Sequence, residues 1–227
     1  MKICLVLPTL NEEKGVKKVI EDIPNPVVSD IVVVDGYSGD NTIITAKTSN
    51  KKTYGMTVLF QDGYGKGMAF QSFLKKFDLD GFDAYVMFDA DYTYDPKEIK
   101  KIVFPIVNKE ADVVMGNRFS FKGIKDVMTP ETYLGNRLLT LAASFLYFKN
   151  PKDLCTGYWA FSKKFLKNIK IRARGFDLEA NLFTEAVKKG FRIKTVPIKY
   201  RARIGQKKLR YYDGLLILWR LIKERFL

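Results

Sequence analysis

The sequence predicts an α/β protein in which a mainly parallel β-sheet is sandwiched by helices, with an amphipathic helix at the C-terminal end. Two observations carry this expectation. Short apolar, β-branched runs alternate with segments whose apolar residues recur at i, i+3, i+4 and i+7, the spacing of one helix face. The runs are apolar at nearly every position rather than every second one, which marks strands covered on both faces and hence a largely parallel sheet.

Residues 3–7, 31–34, 57–60, 84–88 and 113–115 read as strands. Between them, Val16, Val19, Ile20 and Ile23 define one core-facing helix, and Phe70, Phe73, Leu74 and Phe77 another. Ile99, Ile102, Val103 and Ile106 define a third, which Pro105 should kink or end. A helix is also expected from about Asn41. Residues 119–132 contain Gly123 and Pro130 and little periodicity, so they read as a mobile loop that orders over an acceptor. Residues 138–148 form the longest uncharged stretch, of a length that suits a buried or interfacial helix, and Leu178, Leu182, Phe183 and Val187 mark a helix opened by residues 175–179. At the end, Leu215 to Trp219 are followed by Arg220, Leu221, Ile222, Lys223, Arg225 and Phe226. Aromatics and cations together are the composition of a helix lying on anionic lipid. Residues 1–209 are therefore expected to form one domain, and 210–227 an appended amphipathic helix that meets a membrane, a partner or the domain's own sheet.

With 227 residues, 47% hydrophobic and 14% aromatic, the chain buries a sizeable core and is not disordered. No apolar run approaches the roughly 18 residues of a spanning helix. Met1 leads straight into the first strand, without the pattern of an export signal. Cys4 and Cys155 fit no metal-ligand spacing, as expected of two free thiols in a reducing cytosol. The net charge of +14 is local: from 187 to 227 thirteen Lys/Arg face only Asp213 and Glu224, a surplus of +11 that leaves +3 for the rest. Such an end suits nucleic acid, anionic head groups or a phosphate-bearing substrate.

In a parallel α/β sheet the ligand sits beyond the carboxyl ends of the strands. There the sequence places residues 8–13, 35–40, 62–67, 89–91 and 116–118, a collection of acidic, polar and glycine residues. Asp89 and Asp91 put two carboxylates one residue apart at a strand end, where both can face a hard cation, Mg²⁺ or Mn²⁺, completed by diphosphate oxygens and water. Such a cation neutralises the departing nucleoside diphosphate. A lone Asp-x-Asp is commonly a solvated turn; three other polar strand ends favour the metal reading here. Gly65-Lys66-Gly67 precedes a helix whose free N–H groups would attract an anion, with Lys66 touching a phosphate. The bland reading is a plain loop, since the longer P-loop spacing is missing. Asp35 and Asp40 either bind ribose or base or cap the following helix. The chain has no histidine, so any general base is a carboxylate, or the acceptor needs none.

Residues 8–13, 34–42, 65–67, 89–91, 153–157 and 200–209, taken in this order, resemble the motifs of family-two inverting glycosyltransferases of the GT-A (Rossmann-like) fold. The branch resembled is that of dolichyl-phosphate mannose synthases and polyprenyl-phosphate glycosyltransferases, over nearly all of the chain up to about Leu209. The resemblance implies that Pro8, Asn11, Glu12, Asp35, Lys66 and Asp89 border a UDP- or GDP-linked sugar, with Asp91 the principal metal ligand beside Asp89. It also implies that residues 152–158, Asp153 among them, lie near the acceptor, that Arg118 is the arginine after the fifth strand, and that Arg201, Arg203 and Lys208 contact phosphate. Gly36, Thr93 and Lys207 depart from the family pattern, where a second aspartate, a metal-facing glutamine and a serine are common; sugar and base stay open.

A polyprenyl (dolichyl) phosphate is already anionic and attacks the anomeric carbon without a base, held by Arg118, Arg137, Arg201, Arg203 and Lys208. With an alcohol acceptor, Asp153 or Asp177 becomes the natural base. These readings make the protein a peripheral enzyme of the cytoplasmic membrane face, its terminal helix on anionic lipid or a membrane partner. Three alternatives stand beside them. One is a soluble transferase of the same fold acting on a small phosphorylated acceptor such as phosphoglycerate. Another is a sugar-nucleotide pyrophosphorylase, disfavoured because residues 8–13 replace its glycine-rich loop. The last is a nucleic-acid-binding module stacking bases on Tyr200, Tyr211, Tyr212 and Trp219, disfavoured because Asp35, Asp40, Asp89 and Asp91 would repel a polyanion.

Overall fold

The computed structural model describes residues 1–51 and 54–226. Leu227, the last residue of the expected terminal helix, lies outside the described residues, as does the side chain of Tyr211. The elements are β1 (Ile3–Thr9), α1 (Glu13–Asp22), β2 (Asp30–Asp35), α2 (Thr42–Ser49), β3 (Gly55–Phe60), α3 (Lys66–Lys76), β4 (Ala84–Met87), α4 (Ile99–Val107), β5 (Val113–Asn117), α5 (Ile124–Val127), α6 (Pro130–Tyr147), β6 (Trp159–Ser162), α7 (Lys163–Asn168), α8 (Leu178–Lys188), β7 (Ile193–Pro197) and α9 (Tyr211–Phe226).

Strands β1 to β5 fall where the apolar runs lie, and the sheet order is β3-β2-β1-β4-β6-β5-β7. Alternation along each strand divides the core. Ile3, Leu5, Leu7, Ile31, Val33 and Val86 pack against α1, α2 and α4 through Val16, Val19, Ile20, Ala46, Ile99 and Ile102. Cys4, Val6, Val32, Val34 and Met87 face the other layer, where Phe70, Phe73, Ala143, Phe165, Leu182, Phe183, Ile217 and Leu221 come from α3, α6, α7, α8 and α9. Both faces are covered, which is why the central strands carry no polar alternation.

The mainly parallel sheet is as expected, two further strands are not legible in the sequence, and one segment differs from its expected form. Strand β6 runs antiparallel between β4 and β5, and β7 adds a parallel edge strand beside β5. Pro105 lies inside α4, two residues before its end, and its carbonyl accepts from the amides of Glu110 and Ala111 as the chain turns off. Residues 119–132 are not an open loop: a 3₁₀ turn over Arg118–Ser120 leads to α5, and Thr132 already belongs to α6. Ile124 and Met128, four residues apart, bury themselves and give this segment its own anchor. One apolar pair is too short a pattern to show as periodicity.

The strand order reverses at β1, which has β2 on one side and β4 on the other. Connections leave in opposite directions there, opening a crevice beyond the carboxyl ends of β1 and β4. It is bordered by residues 9–12 and 88–91, and the site is built around it.

Candidate active site

On the β1–β2 side, Asp35 is fully buried and its carboxylate accepts from Thr9 Oγ1 at 2.9 Å, Ser38 N at 2.8 Å and Ser38 Oγ at 2.7 Å. Asn11, in the left-handed region at φ 49°, accepts from Gly39 N at 2.7 Å and donates its own amide to Ser38 Oγ at 2.8 Å. Asp35 and Asn11 thus lock the loops after β1 and β2 together, while Tyr37 stands exposed at that edge, stacked on Phe60. Pro8, still within β1, is paired in register with Val34. Asp40 serves as a cap: it accepts from Thr42 N at 3.0 Å at the start of α2 and from Glu13 N at 3.2 Å at the start of α1.

Asp89 and Asp91 follow β4 at the crevice. Asp91 is buried, held by Thr93 N at 3.0 Å and Thr93 Oγ1 at 2.6 Å, and ion-paired with Arg203. Burial and the neighbouring Asp89 charge push its carboxyl above the usual range, against the pull of Arg203 and Thr93. Asp89 is more open, with a side chain 30% exposed, and Lys66 Nζ lies 2.5 Å from its Oδ1. Gly157 faces this pair. A Cβ there would stand 2.5 Å from Asp89 Oδ2, so only glycine leaves the carboxylate its place.

The start of α3 differs from the expected anion site. Gly67 N donates to Gly175 O at 3.1 Å and Met68 N to Arg174 O at 3.0 Å, so residues 174–175 already satisfy these amides. A Cβ on Gly67 would collide with Ala173 O. This glycine admits a neighbouring backbone instead of a phosphate. Lys66 is buried between Asp89 and Glu179, whose Oε1 lies 2.6 Å away. Glu179 was not legible as a site residue, since an acidic residue in the first turn of a helix reads as a favourable dipole contact.

The C-terminal basic segment folds back over the crevice. Ile204 N donates to Asp91 O at 3.0 Å and Arg201 N to Thr93 O at 2.9 Å. Arg203 Nη1 reaches Glu12 Oε1 at 3.3 Å, and Lys208 pairs with the same carboxylate. Burial raises the Glu12 carboxyl above its ordinary range despite these two cations. Among the described residues, Glu12 Oε2 is buried without a hydrogen-bond partner. Arg201 points elsewhere: it lies over the Tyr92 ring, with its Nη2 2.6 Å from Asp95.

Arg118 and Asp153 form a buried fork, Nε to Oδ2 and Nη2 to Oδ1 each at 2.7 Å, with Arg118 N adding a bond at 3.0 Å. The guanidinium also lies over the Tyr200 ring. Arg137, on α6, stacks over Phe119. Of the five expected acceptor-phosphate cations, the fold gathers Arg203 and Lys208 beside Glu12 and Asp91, and gives Arg118, Arg137 and Arg201 separate partners. Asp177 accepts from Gly175 N at 3.0 Å and pairs with Arg220 of α9 at 2.9 Å.

Among the described residues, no group of three or more His, Cys, Asp or Glu side chains is placed to hold a metal ion. The protein offers two hard oxygen donors, Asp89 and Asp91. They suit a divalent cation whose other ligands are phosphate oxygens and water, the usual habit of Mg²⁺ at nucleotides. In this structure Lys66 pairs with Asp89 and Arg203 with Asp91.

Residues 4–170 match the profile of Glycosyl transferase family 2. The chain belongs to this family. It is 30% identical over 203 residues to glycosyltransferase AglJ of Haloferax volcanii, covering 88% of this chain and 63% of that protein. It is 31% identical to a dolichyl-phosphate hexose transferase of the same organism, over 93% of this chain and 88% of the relative. A dolichol-phosphate mannosyltransferase of Pyrococcus furiosus is 27% identical over 98% of this chain and 64% of its own length. The chain spans under two thirds of the length of AglJ and about half that of the hexosyltransferase Agl6 of H. volcanii, 63% and 52%. Among solved structures, glucosyl-3-phosphoglycerate synthase from Mycobacterium tuberculosis, in complex with Mn²⁺, UDP and glucosyl-3-phosphoglycerate, superposes with a TM-score of 0.77 over 100% of this chain and 80% of that one, at 22% identity. This family-two glycosyltransferase therefore has the GT-A fold.

Proposed function

We propose that the protein transfers a sugar from a nucleotide-diphosphate donor, UDP- or GDP-linked, to a polyprenyl phosphate at a membrane surface. The donor half rests on the crevice. The diphosphate would lie along Asp89 and Asp91 with Mg²⁺ or Mn²⁺, which when bound offsets the charge gathering on the leaving group. Arg203 and Lys208 would turn from Asp91 and Glu12 onto the diphosphate, two cations already on the arm that covers the site. Loops locked by Asp35 and Asn11 would border the nucleoside. A phosphate monoester oxygen then attacks the anomeric carbon as the bond to the β-phosphate oxygen breaks, and the nucleoside diphosphate leaves. No proton has to be removed, in keeping with a chain that has no histidine.

The observation that carries a lipid acceptor is a row of exposed apolar side chains on each of two neighbouring helices. Leu134, Leu138, Leu141 and Phe145 on α6 and Phe148 just after it are each more than half exposed, as are Tyr212, Leu215, Trp219 and Phe226 on α9. Their spacing places each set along one side of its helix. The opposite side of α9 is buried through Ile217 and Leu221, and Tyr147 donates to Leu221 O at 2.8 Å, joining the two helices. Exposed apolar patches larger than scattered single residues mark interaction or membrane sites, and here each of two packed helices carries a row of them. Lys149, Lys152, Lys223 and Arg225 adjoin it in sequence, the charge complement of anionic head groups. Among the described residues no helix is long and apolar enough to cross a membrane.

Supplying a labelled nucleotide sugar with polyprenyl phosphate in liposomes, or with 3-phosphoglycerate in solution, separates the lipid reading from that of a small acceptor. Label is expected in the organic-solvent phase. Label found only in the water-soluble product would move the assignment to the small acceptor. The triple substitution L138E/L141E/W219E is expected to reduce co-sedimentation with anionic liposomes at least about tenfold, since each deletes apolar contact and adds a repelled charge. Unchanged sedimentation of this variant would remove the lipid surface as the occupant of the face.

A further inference from the structure

Lys66 opens α3 with a side chain only 9% exposed, and Glu179, in the first turn of α8, is equally buried. With Asp89 they form a chain of three charges, negative, positive and negative, in which Lys66 Nζ is 2.6 Å from Glu179 and 2.5 Å from Asp89. Only Asp89 among the three has a substantially open side chain, on the crevice side next to Asp91. Lys66 paired with Asp89 alone would cancel that carboxylate's charge. A divalent cation would then meet a neutral pair. With Glu179 behind Lys66, two carboxylates face one ammonium, a sum of −1 with both ionised, and Asp89 is the member open to the crevice. Gly157 completes the fixture, because a Cβ there would also lie 3.1 Å from Lys66 Nζ.

We infer that Glu179 is a positioning residue of the metal site: it neutralises Lys66 from the buried side, so that Lys66 fixes the Asp89 carboxylate without extinguishing its charge toward a divalent cation. Lys66 is then a tether for a metal ligand, not a phosphate contact. The inference rests on reading Asp89 and Asp91 as the cation site.

Mn²⁺ binding to the full chain, followed by electron paramagnetic resonance with and without UDP, tests it independently of any acceptor. Glu179→Gln keeps the shape and removes the charge, and is expected to weaken Mn²⁺ binding about tenfold, because site charge sets divalent affinity. The double variant K66M/E179Q deletes one cation and one anion together and restores the net −1. It is expected to recover most of that loss and bind Mn²⁺ within about threefold of wild type in both arms, the remainder being the lost tether, while the single variant does not. A purely structural role would lower the melting temperature of both variants and leave the double variant no better than the single one. The inference fails if E179Q binds Mn²⁺ like wild type, or if the double variant stays as weak as E179Q. It also fails if recovery is confined to the arm without UDP, since Lys66 would then be a phosphate contact. Should E179Q not fold, the double variant decides alone: near-wild-type Mn²⁺ affinity supports the inference and a tenfold loss overturns it. A wild-type protein that binds no Mn²⁺ in either arm removes the cation site itself, and this inference with it.

Discussion

Asp91→Asn is expected to lower sugar transfer by roughly 10³-fold, about 4 kcal/mol of transition-state stabilisation, the scale lost when a preorganised charge partner of the leaving group is removed. The asparagine keeps the shape and can still accept from Thr93 N and Oγ1, so the fold should persist. The position is less forgiving than a strand-end loop suggests. Asp91 is only 2% exposed, covered by the segment that carries Arg203. Alanine would leave a small hole and release Arg203, whose side chain is 28% exposed and still has Glu12 at 3.3 Å. A destabilisation of about 1 kcal/mol is expected there, alongside the same loss of transfer. Turnover of D91N within tenfold of wild type at saturating Mn²⁺, with an unchanged melting curve, would remove Asp91 from the metal site.

The second large effect concerns stability. Asp153 is fully buried and its carboxylate receives three donors from Arg118, two from the guanidinium and one from the amide. Removing one member of a buried ion pair leaves an uncompensated charge, which costs about 3–5 kcal/mol. At about 2–4 °C per kcal/mol for a chain of this size, Asp153→Ala is expected to lower the melting temperature by roughly 6–20 °C. Replacing both partners by apolar residues, as in R118M/D153L, should recover much of that loss, because no charge is then left unpaired. Thermal unfolding of the two variants decides. If D153A melts within about 2 °C of wild type and loses only turnover, Asp153 has a direct role at the acceptor and the fork is incidental.

Those two aspartates show what the sequence discloses and what it hides. The near-continuous apolar character of residues 3–7 and 31–34 was sufficient to place a buried parallel sheet, because strands covered on both faces have no polar side to report. Asp89 and Asp91 were legible for the same reason: polar residues that end a buried run have to lie at the sheet's edge. Strand β6 was not legible, since Trp159–Ser162 is four residues long and no local pattern tells which strand inserts between β4 and β5. Edge strand β7, preceded by Arg192, carries Lys194 between Ile193 and Val196 and blends into the basic C-terminal stretch.

Partner choice was hidden more deeply than position. Gly65-Lys66-Gly67 looks the same whether a phosphate or a backbone approaches it; here residues 173–175 approach, from a segment more than a hundred positions away. The cluster of Arg201, Arg203 and Lys208 was visible as charge, yet its division between Asp95, Asp91 and Glu12 depends on how the arm folds. Glu179 carried no motif at all. It enters the site because α8 packs beside the start of α3, a tertiary fact without a local trace.

Nucleotide-sugar binding by calorimetry, run over a panel of UDP- and GDP-linked hexoses with Mn²⁺ and again with excess chelator, addresses the metal-assisted donor site itself. At least one nucleotide sugar should bind in the presence of Mn²⁺ and lose affinity about a hundredfold or more when the metal is removed, with D91N reproducing that loss. Equal affinity with metal and with chelator, or no binding by any member of the panel, would contradict the assignment of Asp89 and Asp91 to a metal-diphosphate site.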